Sequence, residues 1–361
     1  MSEPTQEEVI STVTSIFKVN NITNSPESLN FKIEDDDFKS KFVYLAQRLE
    51  KRDLICRIKK GVDGTYILVN RFPPQKQGWL SKSWMPRVLF GIVVAFVMVD
   101  GYYRTLSANS IVHIGEPFDM AVLYTFSLLG ILGIHEAGHL VAAKIHKIRT
   151  TWPYFIPGIP VIGIPTFGAF IQSRGLTVNR DILFDVAIAG PLAGLAVAII
   201  VSIFGAYTSP VIDAQQADEL FGKSELVKMQ DNILMSLALA MFGKNGSDTE
   251  VIMSPILFAA WLGFLITFLN LLPAWQLDGG HIARVMFGEK WHRIATYASM
   301  GVLVYLGYWV MAMLILLLSS RSPGATPLDD ISPLSKNRKR LYVVVAVLAF
   351  LCAPLPFPIL F

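Results

Sequence analysis

His135, Glu136 and His139 form an H-E-x-x-H pattern within the run MAVLYTFSLLGILGIHEAGHLVAAKI, Met120 to Ile145. Residues four apart on a helix project from one face, so the two imidazoles can grip a single divalent ion. Glu136, beside the first imidazole, is placed to take a proton from a water activated by that ion. The surrounding run is apolar enough to cross a bilayer, where ionisable groups are costly and usually functional. The expected chemistry is metal-assisted hydrolysis at membrane depth. A chance match to the motif is the competing reading, and the lipid setting counts against it.

Two histidines do not close a catalytic zinc site, which takes three protein ligands and leaves one position open. The second informative run is NLLPAWQLDGGHIAR, Asn270 to Arg284, in which Asp278 ends an apolar stretch and precedes Gly279 and Gly280. At ~1.5 Å per residue, His135 lies roughly 24 Å into a span starting near residue 119, and Asp278 roughly 36 Å past residue 254. If both spans run inward, with 184–207 returning between them, both positions fall in the cytosolic half, and tilt or unwinding at Pro273 absorbs the mismatch. That geometry allows Asp278 to meet the histidines without requiring it; a helix-ending acid in an Asp-Gly turn is the plain alternative. Asn270 has an equally plain alternative, an interhelical hydrogen bond that packs the bundle. His281 is expected to support the site or face the surface, His113 and His146 to lie at the interface, and His292 to be membrane-edge charge beside Lys290 and Arg293. Gly190, Pro191 and Gly194 read as packing residues, and Asp100 with Arg104 as an i,i+4 pair.

The elements that must position these groups follow from composition and pattern. Of 361 residues, 53% are hydrophobic and 16% charged, with a mean hydropathy of +0.48. Soluble proteins carry nearer ~25% charged residues, so a polytopic α-helical membrane protein is expected. The net charge of +3 and the lack of a basic block argue against nucleic acid. Cys56 and Cys352 suggest neither a disulfide framework nor zinc-ligand spacing. The first thirty residues are polar, so the first apolar span is expected to act as its own insertion signal.

Residues 1–77 read as a small α+β domain. Residues 29–33 alternate like a strand, and 35–53 carry Phe38, Phe42, Leu45 and Leu49 at amphipathic-helix spacing. Residues 54–60 and 65–72 form a hairpin across Val62-Asp63-Gly64, closed by Pro73 and Pro74. Six later stretches, about 87–104, 120–145, 184–207, 254–276, 294–318 and 341–360, are long enough to span. The segment 153–172 is apolar but broken by four prolines, which predicts a re-entrant or sheet-like loop, the plain alternative being a linker on the membrane surface. The stretch 224–243 predicts an interfacial helix on the outer face, over the approach to the site.

Loop charge sets the expected orientation. Segment 105–118 has no Lys or Arg, and 208–253 sets Lys223, Lys228 and Lys244 against seven acids; both should face out. Segment 144–180, with Lys144, Lys147, Arg149, Arg174 and Arg180, should face the cytosol with the N-terminal domain. By the same count 319–340 falls outside, in conflict with its Arg321, Lys336, Arg338, Lys339 and Arg340.

On HEAGH (135–139), FDVAIAGPLAG (184–194) and NLLPAWQLDGG (270–280), the chain resembles the site-2 protease family of intramembrane zinc metalloproteases. The likeness covers about 115–290, and the order and spacing of the three motifs are specific. Archaeal, cyanobacterial and plastid members, which carry a small domain before the first span, are nearest in organisation; no PDZ pattern is found. The resemblance implies Zn2+ held by His135, His139 and Asp278, with Glu136 as general base. It also implies that Asn270 and Pro273 shape the substrate-binding face, and that the loop carrying Gly168 offers a strand edge to an unwound substrate.

The expected protein is thus a small cytosolic domain (1–77) followed by a transmembrane metalloprotease domain (78–361). It would have about six spans and a re-entrant loop, reside in the cell membrane, and cut single-span proteins in or near the bilayer. Two other classes compete. An inactive relative that only binds membrane proteins is disfavoured by the intact Glu136 and ligand candidates. A metal transporter is disfavoured by the lack of paired internal repeats. A zinc protease with a distant Glu ligand is the enzyme runner-up, against which Asp278 in its Asp-Gly setting speaks.

Overall fold

A computed structural model describes residues 5–25, 28–72, 84–148, 150, 152–161, 163–170, 177–221, 232–246, 249–321 and 326–355. The chain is mostly helical, with a small sheet region near its N-terminus. The N-terminal part comprises α1 (Gln6–Thr14), β1 (Val19–Ser25), β2 (Ser28–Ile33), α2 (Lys39–Glu50), β3 (Leu54–Gly61) and β4 (Gly64–Arg71). The strands form an antiparallel sheet of order β1-β2-β4-β3. Phe31, Phe42, Leu45 and Ile67 are fully buried between sheet and helices, each contributing roughly 1.5–3 kcal/mol of burial. The expected strand, helix and hairpin are all present. The helix starts at Lys39 rather than near 35, because the Asp35 carboxylate accepts instead from the Lys18 amide (2.8 Å) and the Lys41 ammonium. α1 and β1 were not anticipated; β1 is polar and exposed along most of its length, so it gives no alternation signal. Pro73 and Pro74 lie outside the described residues, as do Arg149, Arg174, Lys223, Lys228 and residues 222–231.

Among the described residues, three helices are long and apolar enough to cross a membrane: α3 (Met85–Asn109), α4 (Pro117–Ile145) and, after the antiparallel hairpin β5 (Tyr154–Pro157) and β6 (Thr166–Phe170), α5 (Arg180–Thr208). The hairpin matches the expectation of a sheet-like loop at 153–172. The Asn179 side chain caps α5 by accepting from the Ile182 amide (2.9 Å), worth about 1 kcal/mol. Beyond it come β7 (Val211–Asp213), α6 (Ala214–Phe221), α7 (Ile233–Ala240) and β8 (Thr249–Val251), with β7 paired to β8. Of the stretch 224–243, residues 224–231 lie outside the described residues, and α7 has one exposed face, with Leu237, and one buried face. Its Met235, Ala238 and Leu239 are buried in the main apolar core.

The remaining helices are α8 (Pro255–Leu271), α9 (Asp278–Phe287), α10 (Glu289–Tyr305), α11 (Trp309–Arg321) and α12 (Lys336–Cys352). α8 stops five residues earlier than the expected span, because Pro273 pushes Leu272 out of the helical region, to ψ 137°. The expected single span 294–318 is broken between Tyr305 and Trp309, at Gly307 with φ +86°. α10 and α11 are therefore separate helices packed against one another.

The following stretch meets the N-terminal sheet and the start of α5, whereas the span count set 319–340 on the face opposite to residues 1–77, in conflict with its basic residues. Residues 328–329 run along β3, the edge strand of the N-terminal sheet: the Ile58 amide donates to the Leu328 carbonyl (3.0 Å), and the Leu328 and Asp329 amides donate to Thr177 (3.0 Å) and Val178 (2.8 Å). A free edge is thereby covered. Ion pairs join the same face: Lys39–Asp181 (2.8 Å), Arg338–Asp181 (3.2 Å), Arg338–Asp185 (2.5 Å), Arg180–Asp330 (3.0 Å) and Arg284–Asp330 (2.7 Å). The basic start of α12 thus lies on the same face as the N-terminal sheet.

Candidate metal centre

α4 carries His135, Glu136 and His139, and its sequence-neighbour helix α5 packs tightly along it. The reason is local. A Cβ on Gly190 would fall 2.1 Å from His139 Nε2, and one on Gly194 would fall 2.9 Å from His135 Cβ. Only glycine at these positions lets α5 close over both imidazoles, so the packing role expected for them bears directly on the site. Pro191 removes one helical donor and loosens that turn of α5. One turn before Gly190, the Val186 carbonyl accepts a hydrogen bond from His139 Nδ1–H (2.8 Å). With its proton held there, His139 presents the bare Nε2 inward.

Asp278 arrives from the other side, as the first residue of α9. A Cβ on Gly279 would fall 2.0 Å from the Leu271 carbonyl oxygen, so only glycine allows α9 to begin against the end of α8. The turn between them is held by α10. The Trp275 amide donates to Thr296 Oγ1 (3.0 Å), and His292 Nε2–H donates to the Trp275 carbonyl (2.9 Å). Trp275 itself sits at φ +44°, a conformation that needs such support.

The structure brings His135, His139 and Asp278 together. Asp278 Oδ2 is 3.4 Å from His135 Nε2 and 3.4 Å from His139 Nε2, and the two nitrogens are 3.1 Å apart. All three potential ligand atoms lie within 4.8 Å of one another. Lone pairs of two imidazoles and a carboxylate converging in this way repel unless a cation or proton lies among them. Two nitrogens and one oxygen from the protein suit zinc and leave a coordination position free for water or substrate. Glu136 is buried beside this cluster.

Asn270, near the end of α8, places its amide Nδ2 3.4 Å from His135 Nε2, so it borders the cluster. Pro273 lies at the α8–α9 bend, half-buried. Gly168 lies on β6 at φ +94°, and its amide donates to Thr166 Oγ1 (3.2 Å), a bond within the hairpin rather than to the cluster. His281 is half-buried and His113 exposed. His146 contacts Asp185 (3.0 Å), and its carbonyl accepts from Gln47 of α2 (3.3 Å). Cys56 is buried in the N-terminal core, and burial pushes its thiol above the usual range, which leaves it unreactive.

Sequence reasoning missed His292 and Thr296. His292 is buried rather than membrane-edge charge, because its ring turns in toward the Trp275 carbonyl. The signal was present: His292, Thr296, Ser299 and Leu303 recur at helical spacing and so share the buried face of α10.

Comparison with known proteins fits this arrangement. The model of Peptidase family M50 matches residues 123–315. The rice protein "Probable zinc metalloprotease EGY2, chloroplastic" (Oryza sativa subsp. indica) is 30% identical over 312 residues, 81% of this chain and 54% of that protein. "Probable zinc metalloprotease EGY1, chloroplastic" from Arabidopsis thaliana is 30% identical over 250 residues, 65% of this chain and 45% of that protein. A third relative, rice "Probable zinc metalloprotease EGY3, chloroplastic" (indica), is 26% identical over 295 residues, 76% and 47% respectively. The chain spans about half the length of these curated relatives. No solved structure matches.

Proposed function

The chain belongs to peptidase family M50, the family of the site-2 proteases, and from that premise we propose that it is an intramembrane zinc endopeptidase. It hydrolyses peptide bonds within or near the membrane segments of anchored, single-span proteins. The observation that carries the reading is the convergence of His135, His139 and Asp278 beside buried Glu136. His135, His139 and Asp278 hold the ion, and Glu136 is the general base.

When bound, zinc supplies Lewis acidity, polarising a peptide carbonyl and acidifying water. Glu136 takes the proton of the attacking water and returns it to the leaving amine. His139 keeps Nε2 free of its own proton through the hydrogen bond to Val186. Asn270 orients the His135 side of the site and offers its amide to the substrate backbone. Pro273 ends α8 so that Asp278 can turn back toward α4. The β5–β6 hairpin supplies the edge to which an unwound substrate strand pairs, with Gly168 on the approach. The need to unwind predicts that helix-breaking residues in a substrate span favour cutting.

In this reading residues 1–77 form a cytosolic domain, and residues 78–361 form the membrane protease, with its core at about 115–290. α3, α4, α5, α8 and α12 cross the bilayer of a cell membrane, α10–α11 enters and leaves on the cytosolic side, and β5–β6 is re-entrant. Lys and Arg placement supports this sidedness: the basic start of α12 shares the face of the N-terminal domain, while 105–118 has neither residue.

The test is cleavage of a helix-destabilised single-span substrate in detergent. Wild type should cut it, a chelator should stop the cutting, and added zinc should restore it. Cutting indifferent to the chelator would sink the proposal. Asp278→Ala should lower zinc affinity by at least about a hundredfold, beyond the range seen when outer partners of ligands are removed. Metal titration of the purified variant checks this, and unchanged affinity would remove Asp278 from the ligand set.

A further inference from the structure

We propose that Asp100, Arg104 and Tyr124 are positioning residues that set how far the β5–β6 hairpin reaches along the helices. They thereby determine which peptide bond of a paired substrate strand comes level with His135. The proposal rests on the protease reading and assigns these residues a part in its choice of bond.

Asp100 sits in the middle of α3 and is 0% exposed. A carboxylate buried in an apolar span is costly unless every acceptor is occupied. Here Oδ2 accepts from Arg104 Nε (2.7 Å) and from the Tyr124 hydroxyl of α4 (2.8 Å). Oδ1 accepts from the backbone amide of Val161, in the turn between β5 and β6 (2.8 Å). The Arg104 guanidinium lies 3.5 Å over the Phe258 ring of α8 and 3.5 Å from the Gly163 carbonyl. Three helices and the hairpin turn therefore meet at one buried charge. An i,i+4 pair that merely stapled α3 would not recruit an amide from the hairpin. Val161 adds a second sign: it is β-branched yet held at φ +71°, a strained conformation that persists only where the surroundings impose it.

The depth follows from two anchor points. Val161 is level with Asp100, and the Phe155 ring of β5 contacts the Phe90 ring of α3 at 5.0 Å. Phe90 and Asp100 are ten residues apart on α3, ~15 Å at helical rise. On antiparallel α4, Tyr124 is level with Asp100, and His135 lies eleven residues further on, ~16 Å toward the same end. His135 is thus level with Phe90 and Phe155. Phe155 pairs with Ala169 across the hairpin, next to Gly168. Fixing Val161 at Asp100 therefore brings the Gly168–Ala169 edge to the level of the metal centre. Since strands rise ~3.3 Å per residue, a slip of that size presents a different bond.

The experiment compares wild type, Asp100→Ala, Asp100→Asn and Tyr124→Phe, each zinc-loaded, with two readouts. Hydrogen exchange measures protection of the Val161 amide, and mass spectrometry maps the bonds cut in a single-span substrate. In Asp100→Ala, Val161 should lose its protection, cutting should spread to neighbouring bonds, and turnover at the original bond should fall on the order of tenfold to a hundredfold. Asp100→Asn keeps an acceptor for Val161 and should restore much of the original register. Unchanged exchange in Asp100→Ala overturns the latch; raised exchange with an unchanged set of products overturns its role in choosing the bond. If Asp100→Ala fails to hold zinc, Tyr124→Phe decides by the same two readouts. Cutting that survives Glu136→Gln would defeat the protease reading alone, and exchange at Val161 would still decide whether Asp100 holds the hairpin.

Discussion

Glu136→Gln should abolish cleavage, by about a factor of a hundred to ten thousand or more, while leaving the zinc content unchanged. Gln matches Glu in volume and can hydrogen-bond, but it cannot accept the proton of the attacking water. His135, His139 and Asp278 are untouched by the change, so metal should bind as before. Glu136 is buried one residue from His135, so solvent water does not easily take its place as base. Paired measurements of metal content and single-turnover cleavage separate the two effects. Equal cleavage by both proteins would assign the activity to a contaminant, and parallel loss of zinc would recast Glu136 as a structural residue.

Gly190→Ala should cost nearly as much, from a residue that holds neither metal nor substrate. The added methyl would lie 2.1 Å from His139 Nε2 and 2.5 Å from both neighbouring ring carbons, far inside contact distance. The ring cannot simply swing away, because Nδ1 is tied to Val186 one turn earlier on the same helix (2.8 Å). Either that bond breaks or α5 moves off α4, and both misplace a ligand. Zinc affinity should fall about tenfold to a hundredfold, and cleavage by about a hundredfold. Helix propensity works in the opposite direction, since Ala is better than Gly by about 0.8–1.0 kcal/mol in a helix interior. Gly133→Ala on α4, where a methyl meets nothing within 4 Å, is the control and should retain activity. Wild-type zinc binding by Gly190→Ala would mean that the two helices are not packed as described.

The two substitutions also mark how much of the molecule was legible beforehand. H-E-x-x-H on an apolar run is a local signal: four residues are one helical turn, so spacing alone places His135 and His139 on one face. The N-terminal hairpin and helix were legible for the same kind of reason, through the Asp-Gly turn and the periodicities beside it. β1 escaped because its side chains are mostly in solvent and carry no pattern. The span 294–318 misled because hydropathy averages over a window and does not register a single Gly307 at φ +86°. The break there ends α10 at Tyr305 and starts α11 at Trp309, and residues 328–329 then run along β3, which a count of uninterrupted spans does not foresee.

What the sequence determined by itself is therefore what depends on near neighbours along the chain: the helical pair of histidines with Glu136, the apolar spans and the strand periodicities. Tertiary structure decided the rest. It brought Asp278 within 3.4 Å of both imidazoles across more than a hundred residues, tied His292 to the turn that carries it, and turned an ordinary-looking Asp100–Arg104 pair into an anchor for a hairpin sixty residues away. Spacing along one helix is fixed by backbone geometry. The meeting of distant residues depends on which helix faces interlock, and here that rests on single missing methyl groups at Gly190, Gly194 and Gly279, whose importance no local pattern reveals.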